Sequence, residues 1–178
     1  MKYCLIVFFG FIIVLNKSFG QHKPSPKFPD DFTGNWKGEL AWFPVGKAAQ
    51  HVPMQLLIQP SADTAGHFTW HIIYNEQSKD SRPYRLKPVD TLTGHWLIDE
   101  RNGILLDQYW LGNRFSGAFS VSNATIVNTY YLEDDKLIVE FTSYPLKSIR
   151  TSGKGNKEIP FVESYAVKSF QRAVLSRF

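Results

Sequence analysis

Residues 95–144 read HWLIDERNGILLDQYWLGNRFSGAFSVSNATIVNTYYLEDDKLIVEFTSY. Four turn signals punctuate this stretch, Asn102-Gly103, Gly112-Asn113, Ser122-Asn123 and Asp134-Asp135, at intervals of 10, 10 and 12 residues. β-Branched and aromatic residues fill the gaps. Asn-Gly and Gly-Asn tolerate the positive φ angles that two-residue hairpin loops require. The stretch is therefore expected to form five antiparallel strands in an up-and-down meander.

If each dipeptide is a two-residue loop, Gln108 lies opposite Gly117, Gly117 opposite Asn128, and Asn128 opposite Phe141. Continuing by twos, one face collects Leu97, Leu106, Trp110, Phe115, Phe119, Val121, Ala124, Ile126, Tyr130, Leu132, Leu137, Val139 and Phe141. The other face collects Asp107, Arg114, Ser116, Ser120, Thr125, Thr129, Glu140 and Thr142. A one-residue slip in any loop would scramble this sorting. Three polar groups share the apolar face: His95, Gln108 and Asn128. Buried amides cost on the order of a few kcal/mol unless paired. Either the two amides bond each other or water across the gap left by Gly117, or they point into a cavity and orient a bound molecule.

No stretch after Phe32 sustains a helical period, and Pro and Gly recur too often for one. Strands are expected over 34–43, 51–59, 67–74, 82–88, 94–100, 104–111, 115–121, 124–132, 136–144 and 161–172. A long antiparallel sheet of this kind must curl, and closure removes its edges. The expected fold is thus all-β, an antiparallel up-and-down barrel of about ten strands. The basic segment Lys147 to Lys157, with Gly153 and Gly155, is either a solvated surface loop or a lid over the barrel mouth.

The first twenty residues stand apart. Lys2 gives a positive start, Leu5 to Leu15 is apolar apart from Gly10, and Ser18-Phe19-Gly20 offers small residues before Gln21. That is the pattern of a secretory signal peptide, too short to span a bilayer. The expected division is 1–20 signal peptide, 21–31 extended leader and 32–178 one barrel domain, exported to the periplasm or the cell exterior. Cys4 is the one cysteine, so the mature chain would have no disulfide or thiolate chemistry. Loss of Lys2 and Lys17 lowers the formal charge from +4 to +2. Such a mixed surface is not a nucleic-acid groove.

Catalytic motifs are wanting: there is no Gly-x-Ser-x-Gly, phosphate loop or dinucleotide fingerprint. His67 and His71 share a strand face but lie roughly 13 Å apart, too far for one metal. Neither metal nor cofactor is expected. His95, facing inward, is the candidate for acid–base chemistry.

Phe32-Thr33-Gly34-Asn35-Trp36-Lys37-Gly38 places a Gly-x-Trp on the first strand. This resembles the opening of calycin barrels, the group of lipocalins, fatty-acid-binding proteins, avidins and nitrobindin-like proteins. The resemblance implies that Trp36 closes the barrel base under a basic residue of the last strand, here Arg172. It also implies a small ligand held inside. The chain departs from particular branches. Pro44 to Gln50 is too short for the helical pair of fatty-acid-binding proteins, whose Arg and Tyr carboxylate set has only Tyr165 as a counterpart. A lipocalin's trailing helix and disulfides are missing. The nitrobindin-like branch fits ten strands best, but its haem histidine falls late in the chain, and the last histidine here is His95.

The leading expectation is an exported lipocalin-like protein that binds a small apolar or amphipathic molecule. Trp110, Phe115, Phe119, Tyr130 and Phe141 would line the cavity, with Gln108, Asn128 and His95 as orienting groups. An alternative is a solid barrel acting as an interaction module or homodimer through outward Trp96, Ile98, Leu105, Tyr109, Val127, Tyr131 and Ile138. A third reading is a barrel enzyme using His95.

Overall fold

The computed structural model describes residues 25–76 and 78–178. The expected signal peptide and the first residues of the leader lie outside the described residues. A 3-10 turn, Asp30–Phe32, precedes twelve strands. These are β1 (Gly34–Pro44), β2 (Gln50–Ile58), β3 (Phe68–Tyr74), β4 (Asp80–Asp90), β5 (His95–Asp99), β6 (Leu105–Leu111), β7 (Arg114–Val121), β8 (Ala124–Glu133), β9 (Lys136–Pro145), β10 (Arg150–Ser152), β11 (Val162–Ser164) and β12 (Ser169–Arg177).

Ten of them close into one antiparallel barrel in the order β1-β12-β9-β8-β7-β6-β5-β4-β3-β2. Strands adjacent in sequence pair throughout, and β12 seals the barrel by pairing with both β1 and β9. β10 and β11 form a separate two-stranded hairpin between β9 and β12. The last barrel strand therefore begins at Ser169, not near Phe161. Phe161 and Val162 mimic its start because a short hairpin carries the same apolar signal as a core strand.

Three of the four turns set the expected register: Gln108 is two cross-strand steps from Asn128, through Gly117, and Asn128 pairs with Phe141. The fourth does not. His95 pairs with Tyr109 and Trp96 with Gln108, so the loop after β5 has three residues, Arg101-Asn102-Gly103. Side chains cause the difference. Asp99 Oδ1 accepts the Arg101 N–H at 2.7 Å, and Asn102 Oδ1 accepts the Ile104 N–H at 3.0 Å. Arg101 and Gly103 take positive φ angles of 63° and 100°. These local bonds favour the longer turn.

One extra loop residue inverts β5. Trp96 and Ile98 are inside, 5% and 2% exposed, while His95 and Leu97, expected inside, face solvent.

One end of the barrel is packed solid. Phe28, Phe32, Trp36, Trp110, Trp96 and Phe115 meet there, with Phe28 stacked on Phe115 at 4.2 Å and on Trp110 at 5.3 Å between centroids. The described part of the leader ends in a turn and the 3-10 helix Asp30–Phe32, and its Phe28 plugs the barrel. Trp36 is 1% exposed and lies under a guanidinium 4.1 Å from its ring, but that guanidinium belongs to Arg177. Arg172, the expected partner, faces outward and bonds Glu140 at 3.3 Å. β12 runs five residues past it, so Arg177 is the residue level with Trp36.

Candidate functional site

The interior changes character along the barrel axis. Above the solid end lies a layer made by Gln108 and Asn128, 0% and 2% exposed. Gln108 Nε2 donates to Asn128 Oδ1 at 3.3 Å, and Asn128 Nδ2 donates to Gln108 Oε1 at 3.1 Å. Gly117 sits between them, and a Cβ there would lie 2.2 Å from Gln108 Nε2. The two amides close on each other in the space that the glycine leaves.

The next inward positions toward the opposite end enclose an open cup of about 720 Å³. Leu106, Phe119, Ile126 and Phe141 form an apolar wall, and Ser143, Ser169 and Gln171 a hydroxyl and amide wall. Ser143 and Ser169 join at 2.8 Å between hydroxyl oxygens. Tyr74, Arg82 and Glu100 complete the lining.

Charge on that third wall is held in place. Asp80 accepts two bonds from Arg82, from Nε and Nη2, each at 2.9 Å. The Arg82 guanidinium also covers the Tyr74 ring at 4.7 Å, and its hydrogen bond to Asp80 pushes its pKa up. The Tyr84 phenol is pushed up by burial and, after that, by the Glu100 carboxylate. Arg82 and Asp80 balance, and Glu100 adds a carboxylate at the rim.

Burial raises the Tyr130 phenol to about 12 and the Tyr74 phenol further still. An unfolded chain releases phenolic protons near pH 10, whereas these two hold theirs. Between about pH 10 and 12 the folded state therefore binds more protons, and each phenol should lower stability as pH rises, by at most roughly 1 kcal/mol per pH unit. Urea midpoints followed from pH 9 to 12 should fall, with a shallower fall in Tyr130→Phe. An unchanged slope in that variant would mean Tyr130 ionises freely.

The expected site residues scatter over three levels. Phe119 and Phe141 line the cup. Gln108 and Asn128 form the layer beneath it. Phe115, Tyr130 and Trp110 are packed deeper, with Phe115 and Tyr130 0% and 1% exposed. His95 is on the outer surface, where its ring stacks on Tyr109 at 4.6 Å and Nε2 lies 2.7 Å from Asp107 Oδ1. It cannot touch a molecule held inside, which removes the basis for an internal acid–base role.

Sequence reasoning missed Tyr74, Arg82, Glu100, Ser143, Ser169 and Gln171. Pairing β3 with β4 puts Asp80 and Arg82 opposite Tyr74 and Ile72, so charges interrupting an apolar face were the available signal.

The proposed outward aromatic face is also reduced. Trp96 and Ile98 are interior. Tyr131 lies beneath the Arg114 guanidinium at 3.7 Å and donates to Glu140 at 3.2 Å. Ile138 is 1% exposed, which leaves Leu105, Tyr109 and Val127 at the surface.

A second hollow, about 890 Å³, lies outside the solid end between Ser25–Lys27 and the β8–β9 turn. It borders Ser25, where the described residues begin, so it is not a candidate site. Among the described residues, no group of three or more His, Cys, Asp or Glu could hold a metal.

The described residues close a ten-stranded up-and-down sheet whose base is sealed by tryptophan and arginine. The geometry is calycin-like. Among the solved structures that match is a protein of unknown function from the DUF3598 family of Nostoc punctiforme, with a TM-score of 0.61 at 13% identity. The match covers 88% of this chain and 51% of that one, so the chain spans about half its length. What is shared is the barrel. No family model matches the sequence, and no curated protein is significantly similar to it.

Proposed function

We propose that the protein is an exported carrier for a small amphipathic molecule held in the cup at the open end of the barrel. The observation that carries this reading is the uneven interior: one half filled with aromatic side chains, the other an unfilled cup of about 720 Å³. Cavities of roughly 300–1,000 Å³ with an apolar lining and a few convergent polar groups suit ligands of drug-like size. The apolar body of the ligand lies against Leu106, Phe119, Ile126 and Phe141. Its polar end meets Arg82 and Glu100 near the mouth, or Ser143, Ser169 and Gln171 on the facing wall. Export rests on the signal-like character of residues 1–20.

Native mass spectrometry of the protein from its own host tests the reading directly. A carried mass of roughly a few hundred daltons that leaves on denaturation is the expected result. An environment-sensitive apolar fluorophore gives the residue-level test. Phe119→Asp places a charge on the apolar wall and should weaken saturable binding about tenfold, which is about 1.4 kcal/mol. His95→Ala should leave binding within about twofold, because that ring is outside the barrel. No carried mass together with no saturable binding would sink the proposal.

A further inference from the structure

The ten strands alternate in direction, so every connection falls at one of two ends. The open-end connections are residues 45–49, 75–79, 100–104, 122–123 and 146–168. They hold eight basic residues (Lys47, Lys79, Arg101, Lys147, Arg150, Lys154, Lys157, Lys168) against four acidic ones (Glu76, Glu100, Glu158, Glu163), a formal +4. The segments at the solid end, 25–33, 59–67, 91–94, 112–113 and 134–135, hold Lys27 against Asp30, Asp31, Asp63, Asp134 and Asp135, a formal −4. The barrel is polarised along its axis, and its mouth is the positive pole.

Exposed apolar side chains gather at the same pole. Of the nineteen large apolar residues exposed to solvent among the described residues, seven lie in residues 146–168, under one-sixth of that chain. Ile149 and Phe161 are 68% and 67% exposed. All six residues of β10 and β11 are exposed. The hairpin therefore buries little against the barrel, and a lone two-stranded hairpin is marginal in water. Basic and apolar residues interleave along it, whereas a purely electrostatic partner would need no projecting Ile149 or Phe161.

From this coincidence of charge and apolar exposure we infer that the open end docks on an anionic lipid bilayer, with the β10–β11 hairpin as the inserting element. The basic loops lie over the headgroups while Ile149, Phe161 and Val162 enter the interface. The axial charge polarity turns the mouth toward the surface and the acidic base away from it. The barrel itself does not span the membrane: Lys37, Glu39, Arg85, Lys87, Asp107, Glu140 and Arg172 face outward along its strands, where lipid tails would have to lie. The cup thereby opens onto a surface rich in amphipathic molecules. The docking stands independently of what the cup carries.

The test is co-sedimentation of the intact protein with phosphatidylcholine vesicles, with and without about 30 mol % phosphatidylglycerol. Binding is expected only to the anionic vesicles, and it should weaken as salt rises to about 0.5 M. Joint replacement of Lys147, Arg150, Lys154 and Lys157 by glutamine should reduce partitioning at least about tenfold. Ile149→Ser with Phe161→Ser should remove what remains at high salt. Fluorophore binding in the cup should be unchanged in both variants. That control separates failure of docking from failure of the carrier reading. Equal binding to neutral vesicles, no binding to either kind, or a hairpin-dependent complex with a host protein in place of lipid would each overturn the inference.

Discussion

Gly117→Val is expected to destabilise the barrel by about 2–6 kcal/mol, the upper end of which is enough to unfold many domains of this size. The glycine is not there for a special backbone angle. It is there for space: its Cβ position lies 2.2 Å from Gln108 Nε2 and 2.5 Å from the Asp107 carbonyl oxygen. The carbonyl belongs to the neighbouring strand and cannot retreat without disturbing the β6–β7 ladder. Gln108 can retreat, but Asn128 then loses both of its bonds to it inside the core. Overpacking and an unsatisfied amide each cost about 1–3 kcal/mol, and here one substitution causes both. Urea denaturation of the variant measures the loss. Two companion variants isolate the cause. Gln108→Leu alone should cost about 1–3 kcal/mol because Asn128 is left unpaired, whereas Gln108→Leu with Asn128→Leu should recover most of it. Additive losses in the double variant would show that the amides do not depend on each other. A Gly117→Val barrel of undiminished stability would show that the pair has room the geometry denies.

The same residues show what the sequence could and could not reveal. The pairing of Gln108 and Asn128 across Gly117 was readable because Gly112-Asn113, Ser122-Asn123 and Asp134-Asp135 all form the two-residue loops their composition favours. His95 was misplaced because Asn102-Gly103 carries the same signal, while two side-chain bonds from Asp99 and Asn102 stretch the loop by one residue. That competition is a matter of local geometry, and one residue is enough to exchange the two faces of a strand. The filled half of the interior followed from hydrophobic alternation. The cup did not, because its distinguishing members are Arg82, Glu100, two serines and a glutamine. A binary pattern assigns such groups to solvent. In this barrel they line the cup near its open mouth, and all but the buried Ser169 keep some contact with solvent. The displaced last strand has a related cause: Phe161 and Val162 have the composition of a core strand but sit on a projecting hairpin.

Trp36→Ala should cost about 3–5 kcal/mol, the range for removing a fully buried large aromatic side chain. Three losses coincide at this position. The indole fills the solid end against Phe32, Leu56 and Leu175. Its Nε1–H donates to the Phe32 carbonyl at 2.8 Å, which fastens the 3-10 turn to β1. Its face also carries Arg177, whose guanidinium donates to the carbonyl oxygens of Thr33 and, at 2.7 Å, Asp31. The tryptophan therefore joins the first strand, the last strand and the entering chain in one contact. Arg177→Ala should cost less, about 0.5–2 kcal/mol, because the indole stays buried without it. If Arg177 acts mainly through the ring, the two substitutions together should cost clearly less than their sum. Because the cup lies at the opposite end, Arg177→Ala should leave fluorophore affinity unchanged while lowering the urea midpoint. Weaker binding in a variant that stays folded would show that the two ends are coupled, and would make the base more than a structural closure.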